Sequence, residues 1–202
     1  ELSAYPLYVV VALHRSRRIA GESSTKYMIQ GMVASAISLF GMSFLFGIFG
    51  STYFDVIRGQ LGAAAADPLF WLGLLLMLSG FFFKLAVFPF HFWAPDIYQA
   101  GPHQVVTFIA TASKVAAIAV LCRLVSLAMQ FDPNDFDSFR SVLMWMSVAA
   151  MTLGNLAALR QKDLKRLLGY SAVAHGGYVL IGLQTLTGLG LTAALFYAIG
   201  YF

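Results

Sequence analysis

The chain has 202 residues, of which 59% are hydrophobic and 11% charged, against roughly 25% charged in a soluble domain. That balance excludes a water-soluble globule and intrinsic disorder, and it fits a chain whose solvent is lipid. The net charge of +4 is not a nucleic-acid footprint, because the basic residues stand in two short clusters between apolar runs. The single cysteine, Cys122, allows neither an intrachain disulfide nor a thiolate cage and reads as a small buried hydrophobe.

In chain order, Glu1 opens an apolar run that ends at Leu13. A helix over 1–13 rises only about 20 Å, short of the roughly 30 Å of hydrocarbon. Apolar segments long enough to cross follow at 27–49, 68–91, 105–129, 141–159 and 167–186, with a second partial helix at 191–202. The fold class expected is therefore all-α: a polytopic transmembrane helix bundle with five whole crossings, one domain over 1–202, and a central piece of a longer protein. The interval 50–67 places Tyr53, Phe54, Ile57 and Leu61 at the spacing of one or two turns of interfacial amphipathic helix.

Charge tests the count of crossings. Loops 14–26 and 160–166 fall on one face and carry Arg15, Arg17, Arg18, Lys26, Arg160, Lys162, Lys165 and Arg166, while the other face has Arg58 and Arg140. The positive-inside rule puts the first face in the cytoplasm.

One span is irregular. After Lys84 the chain runs Leu85-Ala86-Val87-Phe88-Pro89-Phe90-His91-Phe92-Trp93-Ala94-Pro95-Asp96, with two prolines six apart. Each proline lacks an amide donor, so a helix over about 68–102 is expected to break near 88–95. Broken backbone at membrane depth survives only where protein or a water-filled cavity satisfies it, and such helices mark ion sites in transporters.

Three cations, Lys84, Lys114 and Arg123, fall inside apolar spans. Arg123 is near a helix end and reads as a side chain that snorkels to the surface. Lys84 and Lys114 lie deeper, where a cation costs about 2.5 to 3.5 kcal/mol on insertion scales and so faces an interior, an ion path or a partner. Thr107 and Thr111 precede Lys114 at i−7 and i−3, the spacing of a polar stripe. Burial disfavours an ammonium and a nearby carboxylate favours it, so such lysines suit a switchable proton site. Glu1 is the acid adjoining an apolar run. Ser171, His175 and Tyr178 at i, i+4 and i+7 form one polar face, and a histidine there can pass protons in either direction. His91, Asp96 and His103 lack the tight spacing of a metal site, and no phosphate loop, dinucleotide fingerprint or haem ligand motif is present.

Residues 83–99 (FKLAVFPFHFWAPDIYQ), 107–114 (TFIATASK), 155–170 (NLAALRQKDLKRLLGY) and 171–178 (SAVAHGGY) together resemble antiporter-like subunits of proton-pumping NADH:quinone oxidoreductase, respiratory complex I, and among them the N-type, or ND-two type, subunit. The resemblance implies a proton channel, in one inverted-repeat half plus part of the next, driven by quinone reduction elsewhere in the complex. It places the family's channel lysine on Lys84, its second lysine on Lys114, its bundle histidine on His175 and the acid that modulates the first lysine on Glu1. It also implies a non-redox subunit with no cofactor of its own, since quinone, flavin and iron–sulfur clusters belong to other subunits. The partners implied are other membrane subunits of complex I and the lipid bilayer, with no nucleic acid, and the location is the bacterial inner membrane. A multisubunit cation/proton antiporter of the sodium type shares the broken helix and its lysine and is the alternative. A passive helical scaffold is the third reading.

Overall fold

The computed structural model describes residues 4–12, 18–129, 131 and 136–201. Among these there is no strand. The helices are α1 (Ala4–Val11), α2 (Arg18–Phe49), α3 (Phe54–Ala64), α4 (Pro68–Leu85), α5 (Trp93–Ala100), α6 (His103–Phe108), a π-helical turn (Ile109–Ser113), α7 (Lys114–Ala128), α8 (Asp137–Leu159), α9 (Leu164–Gln184) and α10 (Gly188–Tyr201). The expected all-α membrane bundle is what forms.

Helix starts follow local chemistry. Asp67 caps α4 by accepting from Leu69 N at 2.8 Å, with Pro68 at a position whose amide is not needed. Asp163 does the same for α9, accepting from Arg166 N at 3.0 Å. Trp71 Nε1 donates to Ala65 O at 2.8 Å and ties α4 to the end of α3.

Several boundaries differ from expectation. The predicted loop 14–26 is helical from Arg18, so α2 has 32 residues and a length of about 48 Å, longer than the bilayer core. Its first turns are held by protein: Ser23 and Ser24 are buried, and Ser24 Oγ donates to Tyr8 O of α1. The amphipathic segment is longer than one or two turns, running over Phe54–Ala64.

Among the described residues, four helical stretches are long and apolar enough to cross a membrane: Ile19–Phe49, Pro68–Leu85, His103–Ala128 and Asp137–Leu159. The expected fifth, α9, has 21 residues, enough for about 31 Å, but falls short of them in apolar content. The reason is its surroundings. It packs against α5, α7, α8 and α10, and Gly154 of α8, Gly169, Gly176, Gly177 and Gly182 all sit where a β-carbon would strike the neighbouring helix. A helix solvated by protein on most sides needs small residues for close approach more than it needs leucine.

Candidate functional site

The break comes earlier than 88–95. Helix α4 ends at Leu85, Ala86 takes a left-handed conformation (φ 58°), Ala86 N donates to Phe83 O at 3.0 Å and Val87 N to Phe82 O at 3.1 Å. This paired closure is a Schellman motif, built here with alanine where glycine is usual. The chain re-enters helix at Trp93, and Pro95 lies in the first turn of α5, where its missing amide leaves nothing unpaired. Trp93 reaches back across the gap, its Nε1 donating to Phe83 O at 3.0 Å. Lys84 sits in the last turn of α4, half-buried, at the negative end of that helix's dipole.

Lys114 begins α7 directly after the π turn. None of its side chain is exposed, and Nζ donates to the Ala172 carbonyl of α9 at 3.1 Å. The expected stripe with Thr107 and Thr111 does not form. The wide turn shifts the register of every residue after it, Thr107 is exposed, and the two hydroxyls donate to His103 O and Thr107 O of their own helix at 2.9 and 2.8 Å.

His175 lies one turn along α9 from Ala172. Its Nδ1 hydrogen-bonds the Tyr197 hydroxyl, and its ring stacks on Tyr201 at a centroid distance of 3.6 Å and meets Tyr178 edge-on at 5.5 Å. Ser171, His175 and Tyr178 therefore do share a face, and α10 supplies its other half. Tyr197 and Tyr201 were missed from sequence; the signal was two tyrosines four apart on an apolar helix.

Helix α9 touches the elements that carry the two lysines and itself carries the histidine. Ala172 touches the Lys114 ammonium, and at Gly176, one turn on, a β-carbon would stand 2.8 Å from Val87 Cγ1 and 3.0 Å from Leu85 O. Within five residues, α9 thus contacts the helix of Lys114, carries His175 and abuts the end of the helix of Lys84. Glu1 lies outside the described residues.

At the end of the bundle bearing the basic segments, Asp96 of α5 pairs with Arg166 at 2.9 Å and Lys26 at 3.3 Å, and Lys26 also reaches Glu22 at 2.7 Å. Arg166 adds a bond to Gln99 Oε1 at 3.1 Å. His91 is buried in the break against Phe92, and among the described residues no three His, Cys, Asp or Glu side chains gather as a metal site requires. Arg123 does lie at the surface, with its guanidinium 5.9 Å from the centroid of the Phe54 ring.

The family model described as NADH:quinone oxidoreductase/Mrp antiporter, TM, matches residues 1–202. The chain belongs to this family. It is 52% identical over 199 residues to NADH-quinone oxidoreductase subunit N 2 of Syntrophobacter fumaroxidans, covering 98% of this chain and 41% of that protein. Among solved structures it is similar to a chain of respiratory complex I from Thermus thermophilus with bound aureothin, at 38% identity and a TM-score of 0.76 over 96% of this chain and 41% of that one. It is also similar to a chain of the Mrp complex from Dietzia, at 26% identity and a TM-score of 0.82 over 96% of this chain and 36% of that one. The chain spans about two fifths of the length of the curated relatives it matches. It is a multi-pass membrane protein of this family.

Proposed function

We propose that the chain is the central part of an N-type subunit of NADH:quinone oxidoreductase, and that it carries part of a proton path driven by quinone reduction in other subunits. Flavin, iron–sulfur clusters and quinone belong to those subunits, and this chain supplies membrane-embedded proton sites. The observation that carries the reading is the fully buried Lys114 ammonium held against α9, the helix that carries His175 and abuts the end of α4. A cation in that position, next to a break in the neighbouring helix, is what a switched proton site requires.

In this reading Lys84, whose charge Glu1 modulates, exchanges a proton with Lys114, which passes it to His175. Each transfer moves one proton from an ammonium or imidazolium to a neutral amine or imidazole, so the number of charges along the path is unchanged. The single domain over 1–202, with α9 as its fifth crossing, sits in the bacterial inner membrane with 14–26 and 160–166 on the cytoplasmic face. The excess of Lys and Arg there supports that orientation.

The test is proton uptake per electron in the reconstituted full-length assembly, comparing Lys84→Met and Lys114→Met with unaltered enzyme. Reduced pumping in an assembled, redox-active complex is the expected result. Normal pumping in both variants overturns the assignment. Likeness to the Mrp chain supports a second reading, a subunit of a sodium-type cation/proton antiporter. Deletion separates the two: loss of NADH-dependent quinone reduction belongs to the first, and loss of sodium tolerance with intact respiration to the second.

A further inference from the structure

The C-terminal halves of α2 and α7 and one face of α4 from Phe70 to Phe82, with residues of α3, α8 and α9, line a cavity of about 360 Å³. Its deep wall is carbon, from buried residues such as Leu78, Leu121 and Leu180. The polar residues that touch it are Ser51 and Thr52, in the turn after α2. A cavity so lined offers water no partners and stays dry, while leaving it empty forfeits the dispersion contacts of its whole lining.

The opening is sideways. Met42 and Phe46 of α2, Phe54 of α3 and Val120 of α7 line the cavity and are also exposed, so the gap between α2 and α7 is open at the side of the described bundle. The amphipathic helix α3 roofs it, with Ile57 and Leu61 turned into the cavity and Arg58 exposed. At this mouth the Arg123 guanidinium lies over the Phe54 ring, and Arg58 follows Phe54 by one turn of α3. Asp55 and Asp67, the acids that flank α3, are exposed, Asp67 is engaged in capping α4, and Asp137 at the start of α8 pairs with Arg140.

We infer that this cavity is a phospholipid site, in which one acyl chain enters between α2 and α7 and the anionic phosphate is held at the mouth by Arg123, with Thr52 beside it. The shape of the opening selects a chain that arrives laterally from the membrane. The Arg123 guanidinium selects a negative headgroup, because a guanidinium pairs with phosphate oxygens through parallel N–H donors. The site is separate from Lys84, Lys114 and His175 and does not depend on the function proposed above.

The intact complex, with the full-length subunit, is exchanged into nanodiscs containing brominated phosphatidylglycerol and imaged by electron cryo-microscopy. Bromine scattering inside the cavity, with phosphate density beside Arg123, is the expected result. In Arg123→Gln the phosphate density is lost. Leu124→Trp, which fills the cavity from α7, removes the tail as well, and if that variant does not assemble the unaltered map decides alone. A cavity filled by another protein segment or by an isoprenoid quinone, or an empty one, overturns the proposal.

Discussion

Gly176 of α9 lies against Leu85, the last residue of α4, so closely that a β-carbon on Gly176 would stand 3.0 Å from the Leu85 carbonyl oxygen. Seven residues earlier Gly169 makes the matching approach to α5, where a β-carbon would stand 2.7 Å from Pro95 Cα. Helix α9 thus packs along α5 and touches the end of α4, a splint across the break.

Gly176→Val forces three carbons into that contact and is expected to cost about 1 to 3 kcal/mol, as overpacking of a close-packed interior does. Gly47→Ala, also in a helix but with open space around it, is the matched control and is expected to be neutral or slightly stabilising. Thermal unfolding of the purified membrane complex reads both; equal midpoints for the two variants would remove the splint.

Lys114→Met preserves the length of the side chain and removes a buried cation, so folding is expected to be retained or improved. The rate of proton transfer through this chain is expected to fall on the order of a hundredfold, the scale of a lost acid–base group, and proton uptake per electron by the assembly to fall with it. Stopped-flow pH-dye measurements in vesicles distinguish this outcome from a scaffold role, in which stability changes and pumping per electron does not.

Tyr197→Phe keeps the aromatic ring beside His175 and removes the hydroxyl bonded to Nδ1. The stability cost is expected to be about 0.5 to 1.5 kcal/mol. The freed imidazole no longer has one nitrogen committed, so the pH profile of pumping is expected to move while that of Tyr53→Phe, at an exposed loop position, does not. An unshifted profile would reduce Tyr197 to a packing residue.

Asp96→Asn breaks the pairs with Arg166 and Lys26 and unfastens α5 from α9 and α2. Each pair is partly exposed and contributes at most about 1 kcal/mol, screened further by salt. Arg166→Ala is expected to be more damaging than Lys26→Ala, since Arg166 is nearer, less exposed and also holds Gln99. Amide hydrogen exchange over 93–100 should rise in the order Lys26→Ala, Arg166→Ala, Asp96→Asn; protection unchanged in all three would show that packing alone holds α5.

Lys84, Lys114 and His175 were legible because a charge or an imidazole in an apolar run carries a large solvation cost, and composition alone exposes it. Tyr197 and Tyr201 were not, because tyrosine in a membrane helix is ordinary and only the meeting of α10 with α9 turns two of them toward His175. The stripe of Thr107 and Thr111 failed for a local reason: spacing rules assume 3.6 residues per turn, and the π turn at Ile109–Ser113 does not keep it.

The amino-acid order by itself determined the solvent, the all-helical class, the location of the broken helix to within a few residues, and the family. Each of these follows from transfer free energies and backbone restrictions that act residue by residue. Only the tertiary structure decided that the break closes with Ala86 in a left-handed turn, that α9 packs against both ends of the gap, and that the Lys114 ammonium ends on the Ala172 carbonyl. Those outcomes depend on which helix faces come within contact distance, and side chains far apart in the chain settle that together.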